Sequence, residues 1–174
     1  GPQPPTYLPP PLLTPPPKYH HNLTQKRMVA ADLTGRFPVR SIYGYEYILI
    51  TIHLGYIKYT PLKNRSAASY VSAFQSIVSF FSSYSHPITH LLLDNETSSA
   101  LSIFFVSVSI TYQYVPPHNH RSLPAERAIR TAKNHFISVL SSAHISFPSN
   151  RWPDLLPQTE LTLNHLRPWL PNTS

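Results

Sequence analysis

Residues 114–136, YVPPHNHRSLPAERAIRTAKNHF, lead into the longest predicted helix of the chain. They begin at the end of an aromatic and β-branched stretch over 110–115, which predicts a strand. Pro116 and Pro117 stop that strand because proline has no amide hydrogen to donate to a sheet. A polar loop follows, and the apolar periodicity then predicts a helix over about 123–141. The segment therefore predicts a strand, a polar loop and a long helix in that order.

The predicted helix has two different faces when its residues are plotted at 100° each. The apolar stripe that should pack on the core consists of Ile129, Ala132, Phe136, Val139 and Leu140. The other face carries Glu126 in the first turn, followed by Arg130 and Lys133. Two interpretations are open. Either Glu126 and Arg130 form an ordinary i,i+4 ion pair, or the face presents a metal ligand and phosphate-binding cations.

Carboxylates are few in this chain, which makes their positions informative. There are seven, namely Asp32, Glu46, Asp94, Glu96, Glu126, Asp154 and Glu160. Asp32 ends a predicted strand over 27–33, and Asp94 ends another over 86–94. Carboxylates gathered at one rim of a sheet would repel one another unless a divalent cation such as Mg²⁺ or Mn²⁺ neutralised them. On spacing alone, solvated surface acids are the commoner alternative.

Hydrophobic patterning predicts two more strands and another helix. The segments over 45–53 and 55–62 are rich in aromatic and β-branched residues, and they should form an antiparallel pair. A helix over 66–83 follows, with Asn64 or Ser66 as its cap.

The remaining segments are less clearly patterned. Residues 95–109 fit either a helix or a strand, and a last helix over 150–166 is expected to kink at Pro157. Strands and helices alternate after an initial meander. This order predicts an α/β domain with a mixed sheet and helices packed on it.

Charge and composition narrow the classes of partner. Only 12% of residues are charged, against about 25% in a typical soluble domain. The 14 Lys and Arg exceed the seven Asp and Glu, giving a net charge of +7, which suits nucleic acid and is equally compatible with plain solubility. The absence of cysteine excludes disulfides, thiol catalysis and thiolate zinc sites. No apolar run approaches the roughly 20 residues of a membrane span, so no membrane partner is expected.

Proline marks the expected domain boundary. Nine of the 20 prolines lie in the first 17 residues, where they disfavour both sheet and helix. We predict a proline-rich, extended or disordered tail over 1–26, a globular domain over 27–170 and a short tail over 171–174. Because the chain begins at Gly1 and its single methionine is Met28, we expect a fragment of a longer polyprotein. The PxxP patterns of the tail fit a linker or a ligand of a polyproline-binding domain.

Five segments, in order, resemble the integrase core of long-terminal-repeat retrotransposons and retroviruses. They are AADLTGRFPV (30–39), TPLKNRSA (60–67), LLLDNETSSAL (91–101), YVPPHNHRSLPAERAIRTAKNHF (114–136) and RWPDLLPQTELTLNHLRP (151–168). The block over 114–136 is the most specific of them. The resemblance spans about 28–168, nearly all of the predicted globular part.

The resemblance implies an RNase H-like fold, in which a five-stranded mixed sheet is flanked by helices. It implies a catalytic and metal-binding triad of Asp32, Asp94 and Glu126 that shares two Mg²⁺ or Mn²⁺ ions. The implied activity is DNA 3′-end processing and strand transfer in DNA integration. The implied partners are element ends, target DNA and further copies of the chain, with no small-molecule cofactor, and the implied location is the nucleus.

The resemblance also implies DNA contacts from the polar loop and from the helix that follows it. We expect loop residues at the DNA end and helix cations at phosphates, and the six residues are Asn119, His120, Arg121, Arg127, Arg130 and Lys133. Phosphate contacts of this kind should weaken strongly as salt rises.

Some features depart from the family pattern. Between Asp94 and Glu126 lie 31 residues, fewer than is typical of retroviral relatives, and residues 101–109 lack the usual charged positions. Pro124 stands two residues before Glu126, which a first helical turn tolerates. The alternative function is therefore a degenerate or co-opted remnant that keeps the fold and non-specific DNA binding. Retention of three triad carboxylates favours the enzyme, whereas the apolar segment favours the remnant.

Overall fold

The computed structural model describes residues 1–4, 28–93, 99–114 and 124–166. Within these ranges five strands form one sheet in the order β3-β2-β1-β4-β5. Their bounds are β1 (Met28–Leu33), β2 (Tyr47–His53), β3 (Tyr56–Leu62), β4 (His90–Leu93) and β5 (Thr111–Tyr114). The first three strands form an antiparallel meander, and β4 and β5 run parallel to β1. The five-stranded mixed sheet predicted from the sequence is confirmed.

Helices cover both faces of the sheet. They are α1 (Ala67–Ser83), α2 (Ser99–Ser107), α3 (Pro124–Ser142), a 3₁₀ helix (Ser149–Leu155) and α4 (Leu156–Leu166). One core cluster joins the sheet to α1 and α2 through side chains such as Phe74 and Phe105, and the other joins it to α3 and α4 through Phe136 and Leu163. Because side chains alternate along a strand, β1 serves both clusters.

Local sequence explains two of the boundaries. Leu54 and Gly55 connect β2 to β3 with φ angles of 51° and 84°. Positive φ at both central residues is what a two-residue type I′ hairpin requires. At the start of α1 the Ser66 hydroxyl accepts a hydrogen bond from the Ser69 N–H at 3.2 Å, while Asn64 Oδ1 accepts one from the Ser66 N–H at 2.9 Å. Both residues considered as caps therefore contribute, and the helix predicted over 66–83 is confirmed.

Three predictions about other elements are resolved or corrected. Within 95–109, where a helix or a strand was open, the described residues form helix α2. The strand predicted over 86–94 begins later, since among the described residues 86–93 only His90–Leu93 join the sheet. The kink predicted at Pro157 is wrong in position, because the 3₁₀ helix ends at Leu155 and α4 begins at Leu156. Pro157 lies in the first turn of α4, where its missing N–H costs no helical hydrogen bond.

The open edge of β3 is covered by side chains of α4. The Asn164 side-chain amide accepts from the Ile57 N–H at 2.9 Å and donates to the Ile57 carbonyl at 2.8 Å, as a neighbouring strand would. Glu160 Oε1 accepts from the Tyr59 N–H at 2.9 Å. Backbone groups on an exposed edge are a template for pairing with another chain, so these bonds protect β3.

Glu160 is itself enclosed, with 2% of its surface exposed. Its carboxylate accepts hydrogen bonds from Tyr56 Oη at 3.0 Å and Lys58 Nζ at 3.3 Å, besides the Tyr59 amide. Burial raises the pKa of this carboxyl, and the Lys58 charge and the hydrogen bonds oppose that rise. A buried acid with this many donors has a structural role.

Candidate active site

Strand β1, which carries Asp32, lies beside β4, the strand that precedes Asp94 in the sequence. The strands are parallel, with Ala30 opposite Leu92 and Ala31 opposite Leu93. Asp32 is the next residue on β1, and Asp94 is the next residue in sequence after β4. Asp94 lies outside the described residues. The convergence of Asp32 and Asp94 therefore stays a prediction.

Asp32 lies on the sheet face that α3 covers. Ala30 packs in the cluster with α3 and α4, and Asp32 is two residues further along the same strand. Side chains two apart on a strand share a face. Asp32 is opposite Ile50 of β2, which belongs to the same cluster, and its own side chain is exposed. The aspartate therefore stands at the solvent end of the α3 side of the sheet.

Helix α3 places Glu126 over that same face. The helix begins at Pro124, so Glu126 lies in its first turn, where the positive end of the helix dipole favours a carboxylate. Ala128, Ile129 and Ala132 are buried in the cluster that contains Ala30. The predicted apolar stripe is thus confirmed for Ile129, Ala132 and Phe136, with Leu140 partly buried against the same cluster. Glu126 itself is partly exposed. The helix holds the glutamate at the rim instead of in the core.

Glu126 forms no salt bridge with another described residue. In the described ranges the salt bridges are Arg36–Glu46 at 3.1 Å, Lys58–Glu160 at 3.3 Å and Arg151–Asp154 at 2.9 Å. No bridge between Glu126 and Arg130 occurs there, so the ordinary i,i+4 interpretation is not realised. Three other carboxylates, Glu46, Asp154 and Glu160, are the ones paired with cations in these ranges.

The predicted DNA-contacting residues divide into two groups. Arg127, Arg130 and Lys133 lie on α3 with exposed side chains, on or beside the face that begins at Glu126. Asn119, His120 and Arg121 lie outside the described residues, as do the proline-rich segment over 5–27 and the end of the chain after 166. These three exposed cations follow Glu126 along α3 toward its C-terminus, as the helical plot predicts.

The described residues hold no complete metal site by themselves. No group of three His, Asp or Glu side chains suitable for a metal occurs within them, and Asp94 is not among them. The donors on the α3 face, Asp32 and Glu126, are hard carboxylate oxygens, which fit Mg²⁺ or Mn²⁺ better than softer metals.

No helix in the described part of the chain has the length and apolar character needed to cross a bilayer.

A cavity of about 380 Å³ lies between the segment that follows β1 and the second half of α3. It is lined by the segment over 34–38, by Ile48, Ile50 and Tyr59 of the sheet and by five residues of α3, which are Lys133, Phe136, Ile137, Leu140 and Ser141. Sequence reasoning did not single out the cavity. Only the fold brings the residues that follow β1 against the second half of α3.

The segment after β1 is held in place by Trp152. The Phe37 ring stacks on Trp152 with centroids 4.5 Å apart, and Trp152 Nε1 donates to the Val39 carbonyl at 2.8 Å. The Phe37 N–H donates to the Glu46 carbonyl at 2.8 Å. These contacts fix one wall of the cavity, so its shape does not depend on a free loop.

A larger groove of about 650 Å³ lies at the other side of the fold, between β3, α1 and α4. Lys58 and Lys63 stand in it beside small residues of α1 such as Ser72. Of the described residues that line this groove, none belongs to β1 or α3. It is therefore separate from the candidate carboxylates.

Comparison with solved structures identifies the fold. The catalytic core domain of BIV integrase matches with a TM-score of 0.59 and 16% identity, over 82% of this chain and 86% of that chain. A chain of the simian T-cell lymphotropic virus intasome in complex with PP2A regulatory subunit B56 gamma matches with a TM-score of 0.62 and 15% identity. That match covers 95% of this chain and 54% of the other, so this chain spans about half the length of its counterpart.

These similarities are structural. No protein-family model matches the chain, and no curated protein matches its sequence. At 15–16% identity the likeness establishes the fold, which is the RNase H-like fold of a retroviral integrase core. The family resemblance stated from the sequence segments is supported at that level.

Proposed function

We propose that this chain is the catalytic core of a metal-dependent polynucleotidyl transferase that processes DNA 3′ ends and joins them to target DNA. The observation that carries the proposal is the arrangement of Asp32 and Glu126 over one sheet face. Beside them, β4 runs parallel to β1 in the register that leads to Asp94. The structural likeness to the catalytic core domain of BIV integrase supports the same function by analogy of fold, and the residues of the site carry the argument.

In this proposal three carboxylates bind the metal ions together. Asp32 of β1, Asp94 after β4 and Glu126 of α3 supply oxygen ligands to two Mg²⁺ or Mn²⁺ ions. Bound ions of this kind activate an attacking hydroxyl and stabilise the leaving oxygen of a phosphodiester. The sheet and the dipole of α3 hold the carboxylates in place before DNA binds, which lowers the cost of organising the site.

The cations of α3 position the DNA. Arg127, Arg130 and Lys133 are exposed in sequence order below Glu126, and each can contact a phosphate. Asn119, His120 and Arg121 are proposed to contact the DNA end from the preceding loop. The DNA partners are element ends and target DNA, and we propose that copies of the chain associate and act in the nucleus.

A disintegration assay tests the catalytic proposal. Wild type and Glu126→Gln are incubated with branched DNA and either Mn²⁺ or Mg²⁺, and release of the joined strand is measured on a gel. We expect the substitution to reduce the rate by on the order of 10²–10³ or more, because a neutral amide is a poor ligand for a hard cation. Glu126→Gln activity equal to wild type would contradict the proposal.

The matched control is Asp154→Asn. It removes one negative charge, as Glu126→Gln does. Asp154 lies on the 3₁₀ helix, where it pairs with Arg151 and accepts a hydrogen bond from the Tyr43 hydroxyl. The amide oxygen of an asparagine can still accept from Tyr43, and only the partly exposed contact with Arg151 is lost. We expect its rate to stay within a small factor of wild type, which separates a ligand effect from an effect of net charge.

The alternative function is a non-catalytic remnant that retains the fold and binds DNA without sequence preference. Helix α2 favours it, because Ile103 and Val106 are 69% and 72% exposed, with no charged residue on the helix. A folded wild-type protein that binds DNA but joins no branched substrate with either metal would support this alternative.

A further inference from the structure

We propose that the 380 Å³ cavity beside α3 binds one unstacked nucleobase of a DNA strand whose phosphates contact Lys133 and Arg36. The proposal rests on the proposed function, because it takes the DNA to run along α3. It adds a base-binding subsite that the carboxylate chemistry does not itself require. A cavity of this volume is within the range of small-ligand sites.

The cavity is suited to an aromatic ring. Phe37, Tyr59 and Phe136 line it, with Ile50 from the sheet. The Tyr59 hydroxyl is already bonded to the Ala132 carbonyl at 2.7 Å, so this residue offers mainly its ring. Unstacked bases bind proteins by transferring their faces from water to aromatic and apolar side chains.

The aromatic rings are already held in place without a ligand. Phe37 stacks on Trp152 and meets Phe136 edge to face at 6.0 Å. Tyr59 and Phe136 have ring centroids 6.0 Å apart. A base that enters this site therefore orders few side chains, which reduces the entropic cost of binding.

Two cations at the opening select a nucleotide over an uncharged apolar ligand. Lys133 is exposed on α3, and Arg36 is held on the opposite side by Glu46 at 3.1 Å. A phosphodiester attached to the bound base would meet positive charge on both sides. An apolar side chain of a protein partner would fill the cavity but would offer no negative charge to Lys133, which forms no salt bridge with another described residue.

The cavity lies between the segment that follows Asp32 and the half of α3 that follows Glu126. Ile50, in its lining, is opposite Asp32 in the β1–β2 register. Lys133 follows Glu126 by seven residues, which is about 10 Å along a helix. That distance equals about three base steps of one DNA strand at 3.4 Å each. The bound base would thus hold the strand a few nucleotides from the reacting phosphate.

The test compares two strands that carry the same phosphates. One is an oligothymidylate about ten nucleotides long, and the other is an abasic strand of the same length. We expect wild type to bind the first at least about fivefold more tightly, measured by fluorescence anisotropy. Both strands should show the same salt dependence, because they carry the same number of phosphates.

The cavity is then filled by Ser141→Trp. Ser141 lines the cavity, and helical side chains point back toward the preceding turn, here toward Ile137 in the same lining. We expect this variant to bind both strands equally. The matched control is Ser138→Trp, an exposed serine on the same helix that does not line the cavity, and it should keep the preference of wild type.

The outcomes separate the subsite from the catalytic proposal. Equal binding of both strands by wild type, or a preference that survives in Ser141→Trp, would overturn the subsite. If Ser141→Trp loses the circular dichroism spectrum of wild type, Ser141→Leu replaces it under the same criterion. Glu126-dependent joining of branched DNA is measured independently, so that activity without base preference removes only the subsite.

Discussion

Two glutamates on neighbouring helices stand on the same side of the sheet in opposite environments. Glu160 of α4 is almost fully buried and accepts hydrogen bonds from Tyr56, Lys58 and Tyr59. Glu126 of α3 is partly exposed in a first turn, and no described salt bridge includes it. The first closes the edge of the sheet, and the second stands at the end of the sheet, where an ion can reach it.

The difference shows how the same side chain takes two roles in one fold. A carboxylate surrounded by donors loses its hydration but gains fixed partners, so removing it leaves those partners unpaired. A carboxylate at the rim keeps its water and can exchange it for a cation. Substitution of Glu160 should therefore lower the free energy of unfolding, and substitution of Glu126 should lower activity.

The largest expected effect is on the free energy of unfolding. Glu160→Ala leaves Lys58, Tyr56 and the Tyr59 amide without their acceptor, and we expect a loss of about 3–5 kcal/mol in urea denaturation. Glu126→Ala should change the same quantity by less than about 0.5 kcal/mol. A similar loss of stability in both variants would contradict the structural role of Glu160 and the absence of such a role for Glu126.

The next largest effect is the pH dependence of stability caused by a buried histidine. His53 at the end of β2 is 3% exposed, its Nε2 lies 3.1 Å from the His86 carbonyl oxygen, and burial lowers its pKa to about 4. Because the unfolded histidine binds a proton near its usual pKa of 6.5, its contribution to stability is complete above about pH 6.5. That contribution falls as pH drops toward 4, by roughly 3 kcal/mol.

Denaturation curves between pH 4 and pH 7.5 measure this effect. His53→Gln should remove most of the decline, whereas His144→Gln, at an exposed position, should retain it. A wild-type decline that His53→Gln leaves unchanged would assign the pH dependence to other groups.

The smallest of the three effects concerns the cover of β3. Asn164→Ala removes two hydrogen bonds to Ile57 and should cost about 1–3 kcal/mol. It should also speed hydrogen exchange at the Ile57 amide. Asn134→Ala, at an exposed position on α3, is the control and should change neither quantity. An Ile57 amide that stays protected in Asn164→Ala would show that α4 is not what covers the edge.

Much of the fold could be predicted from local patterns. Runs rich in aromatic and β-branched residues located β2 and β3, and a stripe with helical spacing located α1 and the core face of α3. Helix α2 could not be assigned, because exposed Ile103 and Val106 make it apolar on several sides and erase its periodicity. Where the last helix changes geometry was also misjudged, since Pro153 and Pro157 both lie near the change and local rules do not choose between them.

The candidate site could be predicted in part. Asp32 at a strand end and Glu126 in a first helical turn were predicted from their positions and from the family resemblance, and both lie on the sheet face that α3 covers. Their role as metal ligands stays a prediction. Glu160 was not recognised as a structural acid, although Leu156, Thr159 and Leu163 share its buried stripe at helical spacing. A glutamate on an apolar stripe is the signal that could have identified it.

The amino-acid sequence alone determined the alternation of strands and helices, the two faces of α3 and the short list of acids from which a site can be built, because each depends on residues a few positions apart. Tertiary structure alone decided which acid is enclosed, which stands at the rim, and that a cavity opens between Phe37 and α3. Those outcomes depend on distances between residues that are remote along the chain, and such distances exist only when the sheet and both helical layers pack together.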